Sequence, residues 1–429
     1  MKFSTFLFCL LAYIGLQAQN KQTISIQEAV AIAITQSDAS KIADTEVITA
    51  KNELQIAKNL LYPDAKITGQ YAYLTNADVN LKTGTSSEGA TPNVNQFMFG
   101  QASLSMPLFT GFRLKNTVKA SENNYHAATL NAQNDKEEIA YRVIETYINL
   151  YKAKQTVLLV EESLKSALQR VLDFTNMEIN GIIARNDLLK AQIQASNIEV
   201  SLEEAKKNAT ILNYQLAVML KLPEKTIVDI DASAFKDTSL ITTSENIERS
   251  DLEAMDYQYK AAENQIKIAK GNYYPTLSLS GGYIALDLNN VLSVTNAMNI
   301  GVGISYDLAA IFKNKSKVKV AESKAKALEY AISAKTDAVK IELENAKQDY
   351  QLSVKKYNVY AQSEEQSIEN YRIVKDKYDN GLANTNDLLE ADLEQLQAKI
   401  NVTYAKATIT EKYYTWLKAQ GKLINLLEK

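Results

Sequence analysis

Two long stretches of the chain carry a seam of mostly apolar residues whose spacings alternate between four and three. Such a seam forms one stripe of an α-helix that packs against a neighbouring helix. The stretches predict helices over about 112–178 and 312–378, each about 100 Å long. Their seams comprise Ile139, Val143, Thr146, Leu150, Ala153, Val157, Val160, Leu164, Ala167 and Val171 in the first, and Val339, Leu343, Ala346, Tyr350, Tyr357, Tyr360, Tyr371, Val374 and Tyr378 in the second.

Four shorter stretches alternate apolar and polar positions, which is the period of a β-strand with two unlike faces. They predict strands at 66–74, 97–106, 276–286 and 298–306. Each pair of strands follows an Ala-rich helical run, at 26–61 or 247–273. The run stops near a proline, because the residue before a proline disfavours helical dihedral angles.

The chain contains the same unit twice. A shift of 200 residues superimposes Asn180-Gly181 on Asn380-Gly381 and Asn186-Asp187-Leu188-Leu189 on Asn386-Asp387-Leu388-Leu389. The segments that precede the strands match at a shift of 212, so the first strand hairpin is 12 residues longer. We therefore predict a first repeat at 19–221, a linker at 222–246 and a second repeat at 247–429.

Each long helix ends at an Asn-Gly pair, whose glycine readily adopts the left-handed conformation that closes a helix. A new helix is then predicted to begin at Asn186 or Asn386 and to run back to about Leu220 or Gln420. Residues 180–186 and 380–386 are therefore predicted to form the tips of two helical hairpins.

The N-terminus has the pattern of an export signal. Lys2 precedes an apolar stretch from Phe3 to Leu16, and Ala18 offers a small residue for cleavage, so we predict a signal peptide at 1–18. The only cysteine, Cys9, lies within it, which leaves no thiol for a Cys-based metal site or nucleophile in the mature chain. With 47 basic and 50 acidic residues intermixed, nucleic acid is not an expected partner.

Strands of nine or ten residues with one apolar face have the length and pattern of strands that face lipid in an outer membrane. A soluble antiparallel sheet with one wet face is the alternative, but it does not account for the signal, the long hairpins and the repeat together. Four strands cannot close a barrel. Two chains would supply eight strands and three would supply twelve, and the wider interior favours three for a conduit.

Several motifs resemble those of the TolC-like outer-membrane efflux protein family. They are Tyr62-Pro63 before a strand, Ser105-Met106-Pro107-Leu108-Phe109-Thr110-Gly111 after one, and Gly-x5-Asp-x-Leu at both tips. The resemblance covers nearly the whole mature chain. It implies a mainly α protein with a membrane β-barrel, in which a homotrimer forms a 12-stranded barrel in outer-membrane lipid and a 12-helix periplasmic tunnel. Such a tunnel is a passive duct for small-molecule or polypeptide cargo and meets a periplasmic adaptor and an inner-membrane pump.

The resemblance also implies a periplasmic gate at the tips. It places Asp387 and Glu390 at the constriction and Tyr378 at a position that holds the closed state, with Asp187 as the first-repeat counterpart of Asp387. Asn180, Gly181, Asn380 and Gly381 would form the tips that contact the adaptor. Capping is the compatible alternative, since Asp387-x-x-Glu390 resembles a capping box. Ala383 stands where some members carry a latching arginine, and Arg185 is nearby but offset, so the family's latch is not expected as such.

Enzyme function has little support in the sequence. The single histidine, His126, lies in a polar helical stretch, so neither a His-containing triad nor a histidine metal cluster can be built, and no cofactor is predicted. Two alternative functions remain. A periplasmic adaptor would need one hairpin and a small barrel domain, and a surface coiled-coil protein would not need four amphipathic strands.

Overall fold

The computed structural model describes residues 21–75, 94–235, 247–289 and 291–427. The predicted signal peptide and part of the predicted linker, 236–246, lie outside the described residues. The described strands are β1 (Lys21–Ile24), β2 (Asp64–Tyr73), β3 (Gln96–Phe109), β4 (Ile227–Ile230), β5 (Thr276–Leu288) and β6 (Leu292–Ser305). The described α-helices are α1 (Ile26–Gln36), α2 (Asp38–Asn59), α3 (Arg113–Ile179), α4 (Arg185–Met219), α5 (Ser250–Gly271), α6 (Ala310–Asp379), α7 (Thr385–Gln420) and α8 (Leu423–Leu427).

The chain divides into two compact units. The first contains the residues up to 45, 131–251 and the residues from 335 onward, and the second contains 46–130 and 252–334. Helices α3 and α6 are continuous over 67 and 70 residues, as their seams predict, although Ser353, Glu364 and Ser367 dilute the seam of α6. Among the described residues, no helix combines the length and the apolar character that crossing a membrane requires.

The core of the first unit is built around the middle of α3 and the last turns of α4 and α7. Seam residues Val143 and Leu150 of α3 are buried there with Leu216 of α4 and Leu417 of α7. A two-stranded parallel sheet, in which β1 pairs with β4, completes this core. The Tyr147 hydroxyl donates to the Ile24 carbonyl oxygen at 2.7 Å, and burial raises the pKa of this phenol to about 12.

Sequence patterns did not reveal this small sheet. Strand β4 and the 3₁₀ turn Ala232–Phe235 lie in the segment interpreted only as a linker. Four residues are too few to display a period, and their partner strand is more than 200 residues away. Only the folded chain brings the two strands together.

The helical run predicted at 26–61 is wrong as a single helix, because the structure contains α1 and α2 with a break at Ser37. The Ser37 N–H donates to the Ala33 carbonyl oxygen and ends α1. The Ser37 hydroxyl then accepts the Ser40 N–H at 3.2 Å, while the Ser40 hydroxyl donates to the Ile34 carbonyl oxygen. Serine hydroxyls that bond the local backbone compete with a continuing helix in this way.

The second unit contains a four-stranded antiparallel sheet of order β2-β3-β5-β6. Strand β3 runs through Pro107 with a bulge between Pro107 and Phe109, where the sequence predicts an end at Met106. Strand β6 begins at Leu292 rather than 298. A register shift, with Asn296 at a φ of 58°, interrupts its alternation and hides the first half of the strand from a period-two search.

Candidate functional site: the hairpin tips and the sheet

Both hairpin tips close with the same backbone motif. Gly181 has a φ of 69° and Gly381 a φ of 72°. At the first tip the N–H groups of Ile182 and Gly181 donate to Met177 and Glu178, and at the second those of Leu382 and Gly381 donate to Lys377 and Tyr378. This pair of bonds satisfies carbonyl groups that a helix end otherwise leaves unpaired. Asn180 and Asn380 reinforce it, since each side-chain amide donates to the carbonyl oxygen four residues earlier at 2.7 Å.

The second tip starts its return helix with a capping box. The Asn384 side chain accepts the Asp387 N–H at 3.1 Å, and the Asp387 carboxylate accepts the Asn384 N–H at 3.2 Å. The capping box expected from Asp387 to Glu390 is therefore wrong by three residues: Asp387 is the last residue of the box, at N3, rather than its first. Glu390 is exposed one turn further along α7.

The first tip has no such box. Its N-cap residue, Ala184, has no side chain that can accept a hydrogen bond. Instead, the Arg185 guanidinium contacts the Glu178 carboxylate at 3.4 Å across the turn. Asp187 lies in the first turn of α4, where the helix dipole favours a carboxylate, and it pairs with Lys190 at 3.6 Å.

One apolar cluster joins the two tips within the first unit. It contains the buried residues Phe174, Leu188, Ala191 and Leu388. Tyr378 packs on it, with its ring stacked on Phe174 at a centroid distance of 5.7 Å. Burial raises the pKa of the Tyr378 phenol, and the Asp187 carboxylate raises it further. The Asp187 carboxylate therefore acts on Tyr378 electrostatically, whereas Asp387 and Glu390 are exposed residues of α7.

A buried ion pair that the sequence did not reveal connects the two hairpins. The Arg170 guanidinium of α3 donates to the Asp392 carboxylate of α7 at 2.9 Å and to the Tyr371 hydroxyl of α6 at 3.2 Å. Burial opposes the charge of Arg170, but Asp392 outweighs it and raises the pKa of the guanidinium. No local pattern points to this pair, because its partners are 222 residues apart.

The carboxylates of the tips are separate groups rather than a metal cluster. The described residues contain no set of three His, Cys, Asp or Glu side chains close enough to hold a metal ion. Glu390 borders a groove of about 610 Å³ between α4 and α7, which Lys190 and Asn386 also line. The tips present exposed apolar residues as well, Ile182 and Leu382.

The four-stranded sheet has two unlike faces, because directly paired residues share a face. One face is apolar along most of its length, and we call it the outer face. Its members include Ile67, Tyr71, Met98, Leu104, Leu279, Tyr283, Met298, Ile300, Val302 and Ile304, several of them more than 60% exposed in the single chain. Exposed apolar surface on this scale marks contact with lipid or another protein.

Strands β2 and β6 are the two edge strands of this sheet. Among the described residues, β2 has no partner on the edge away from β3, and β6 has none on the edge away from β5. They contain 10 and 14 residues and carry unpaired backbone groups. Such edges are a template for pairing with another strand.

Comparison with known proteins agrees with these features. The family model described as "Outer membrane efflux protein" matches residues 41–220 and 244–421, once in each half of the chain. Over 376 residues, the chain is 22% identical to the outer membrane efflux protein BepC of Brucella suis biovar 1 (strain 1330), which spans 86% of this chain and 79% of BepC.

Solved structures show the same fold. The outer membrane protein VceC from Vibrio cholerae superimposes with a TM-score of 0.79 at 17% identity, covering 92% of this chain and 96% of VceC. The CmeC outer membrane channel of Campylobacter jejuni superimposes with a TM-score of 0.77 at 17% identity, covering 95% and 90% of the two chains.

Proposed function

Since the chain belongs to the outer membrane efflux protein family, we propose that three copies assemble into a passive exit duct, with a twelve-stranded barrel in the outer membrane and a tunnel of helices in the periplasm. The membership confirms the TolC-like resemblance and the protomer fold, and it makes the chain an outer-membrane efflux channel subunit. Members of the family are channel proteins rather than enzymes.

The observation that carries the trimer is the sheet with two open edges and an apolar outer face. In hydrocarbon an unpaired backbone group costs several kcal/mol, so a sheet exposed to lipid must close. If β6 of one copy pairs with β2 of the next, every edge disappears. Eight strands leave an interior filled by side chains, whereas twelve leave space for a conduit.

Family members work with a periplasmic adaptor and an inner-membrane pump, and we assign the same kinds of partner to this chain. The hairpin tips at Gly181 and Gly381 are the parts we assign to adaptor contact, because their exposed Ile182 and Leu382 offer apolar surface beside charged groups. Energy for transport then comes from the pump. Small molecules and polypeptides are both compatible as cargo.

We further propose that the tips form the periplasmic gate. Threefold symmetry converts the exposed Asp387 and Glu390 into rings of carboxylates, which attract cations. Tyr378 supports the gate from the cluster, where it packs on Phe174, and Asp187 supports it from the first turn of α4. Capping and gating are compatible for Asp387, since one carboxylate oxygen serves the Asn384 N–H and the other stays available.

The assembly is tested by measuring the mass of the detergent-purified mature protein and its conductance in planar bilayers. We expect a trimer that conducts. A protein that stays soluble without detergent and raises no conductance would rule out the duct in favour of an adaptor or a surface coiled-coil protein.

The gate is tested in the same bilayers with the double variant Asp387→Asn, Glu390→Gln. The asparagine amide oxygen can still accept the Asn384 N–H, so the cap is retained while both charges are lost. We expect weaker block by multivalent cations than in the wild type. Glu203→Gln, an exposed carboxylate on α4, is the matched control, and equal block in all three proteins would leave Asp387 with the capping role alone.

A further inference from the structure

The inner face of the four-stranded sheet, opposite the apolar outer face, changes character along its length. The register defines rows of four residues, one from each strand. The two rows nearest the helices are polar or small: Asp64, Ser105, Ser280 and Gly301, then Lys66, Ser103, Gly282 and Asn299. The polar interior expected of a membrane barrel is present in these rows.

The two rows farthest from the helices are apolar at every position except that of Gln70. They are Gln70, Phe99, Leu286 and Val294, then Ala72, Phe97, Leu288 and Leu292. The row between the two zones contains Thr68, Gln101, Ile284 and Ala297. The Phe97 and Phe99 rings lie parallel with centroids 6.4 Å apart, as neighbours on one face of a strand. Neither of the two far rows contains a charged residue.

We infer that these six large apolar residues, Phe97, Phe99, Leu286, Leu288, Leu292 and Val294, form a dry apolar collar at the extracellular end of the duct. The inference rests on the proposed trimer, in which the inner face lines the lumen. Each far row then presents nine large apolar side chains at twelve positions around the axis. One chain supplies a third of each ring, and the other two copies supply the rest.

The collar has a physical consequence for transport. The near rows carry Ser and Gly, which leave the lumen wide and wet. In the far rows, Phe and Leu on the same backbone narrow the lumen and leave Gln70 as the one polar side chain that each chain offers to water. A hydrophobic constriction of this kind opposes the passage of ions by dewetting. Apolar and amphipathic cargo, which loses little hydration there, passes more readily. The collar therefore favours apolar and amphipathic cargo over ions at the exit, in addition to any selection by a gate at the tips.

Thiol labelling from outside the cell tests the collar locally, without depending on the state of the periplasmic tips. The sequence has one cysteine, Cys9, in the predicted signal peptide, so single cysteines can be introduced cleanly. The variant Gln101→Cys places a thiol just below the collar on β3. Its sequence neighbour on the opposite face, Ala102→Cys, is the matched control and should be shielded by lipid.

We expect a charged, membrane-impermeant reagent to label Gln101→Cys slowly, and on the order of ten-fold faster when Phe97→Ser and Phe99→Ser are added, because the collar is then wetted. Phe97→Leu with Phe99→Leu should keep labelling slow. A neutral apolar maleimide should react quickly with Gln101→Cys in every background, which separates a dry collar from a steric plug that would slow both reagents.

Equally fast labelling of Gln101→Cys by the charged reagent with and without the phenylalanines would overturn the collar and leave the duct intact, provided that the proteins remain trimers in detergent. Loss of the trimer in the otherwise unaltered chain would overturn both the assembly and the collar. The same holds if the charged reagent labels Ala102→Cys faster than Gln101→Cys.

Discussion

The two hairpin tips are related by a shift of 200 residues, and they share their backbone but differ in their polar side chains. Both close on a left-handed glycine, and both bury a leucine, Leu188 or Leu388, in the joint cluster. Beyond these positions the tips diverge in sequence: Ala184 aligns with Asn384, and Glu178 aligns with Tyr378. The repeat therefore conserves what folds a tip, while the residues that connect one tip to the other are specific to each copy.

The two repeats contribute different residues to the contacts that join the hairpins. The first repeat supplies Arg170 and Phe174, and the second supplies Asp392, Tyr371 and Tyr378. Two identical hairpins could not make these pairs, since the 200-residue counterpart of Arg170 is Asn370. Divergence between the copies is thus what allows them to pack as unlike partners.

The largest effect is expected from breaking the buried ion pair. Asp392→Ala leaves the Arg170 guanidinium buried without its carboxylate, so the free energy of unfolding should fall by about 4 kcal/mol. Urea unfolding followed by circular dichroism measures the change. The control is Asp379→Ala, which removes an exposed pair with Lys375 and should change little; equal losses in the two variants would contradict a structural role for the buried pair.

The next effect tests whether the two tips contribute equally to their shared cluster. Leu188→Ala and Leu388→Ala each open a cavity at a residue that is 2% or 4% exposed. Each should cost about 3 kcal/mol in the same unfolding measurement. Exposed Leu189→Ala is the control for the loss of a leucine as such. A cost at only one of the two positions would show that the cluster depends on one copy.

Exchanging the caps sharpens the contrast between the tips. Asn384→Ala removes the acceptor for the Asp387 N–H and should destabilise the protein by about 1 kcal/mol. Ala184→Asn introduces an acceptor where the first tip has none and should stabilise it by a smaller amount, up to about 1 kcal/mol. Opposite signs for the two variants are the expected result of thermal unfolding, and the same sign would contradict the assignment of the caps.

The smallest effect is a pH dependence that belongs to the second tip. The pKa of Tyr378 is raised above its ordinary value of 10.0 in the folded protein. Its contribution to stability is therefore complete below pH 10 and is lost as pH rises through the folded pKa. Relative to Tyr378→Phe, the wild type should lose stability as the pH rises above about 10. Glu178→Gln, at the matching position of the first tip, is the control: it leaves Tyr378 in place, so its stability should follow the wild type as the pH rises.

The sequence by itself determined the long helices, the four strands of the large sheet and the order in which they follow one another. The heptad seams of α3 and α6, the Asn-Gly turns and the alternation in β2 and β5 are local patterns, and each is visible within one or two periods of the chain. The repeat then identified the two tips, and the tandem order together with the motifs around Pro107 pointed to the family.

Tertiary structure decided the contacts between segments that are far apart in the chain. Three features join residues that are far apart in the sequence and that no local pattern links. They are the pairing of β1 with β4, the Arg170–Asp392 ion pair and the rows of the inner sheet face. The capping box is formed by Asn384 and Asp387 rather than by the predicted Asp387 and Glu390. The reason is that helix α7 begins at Thr385, before the residue that the sequence pattern suggested. Periodicity specifies which face of an element is apolar, but only folding specifies what that face meets, because packing partners are chosen in space rather than along the chain.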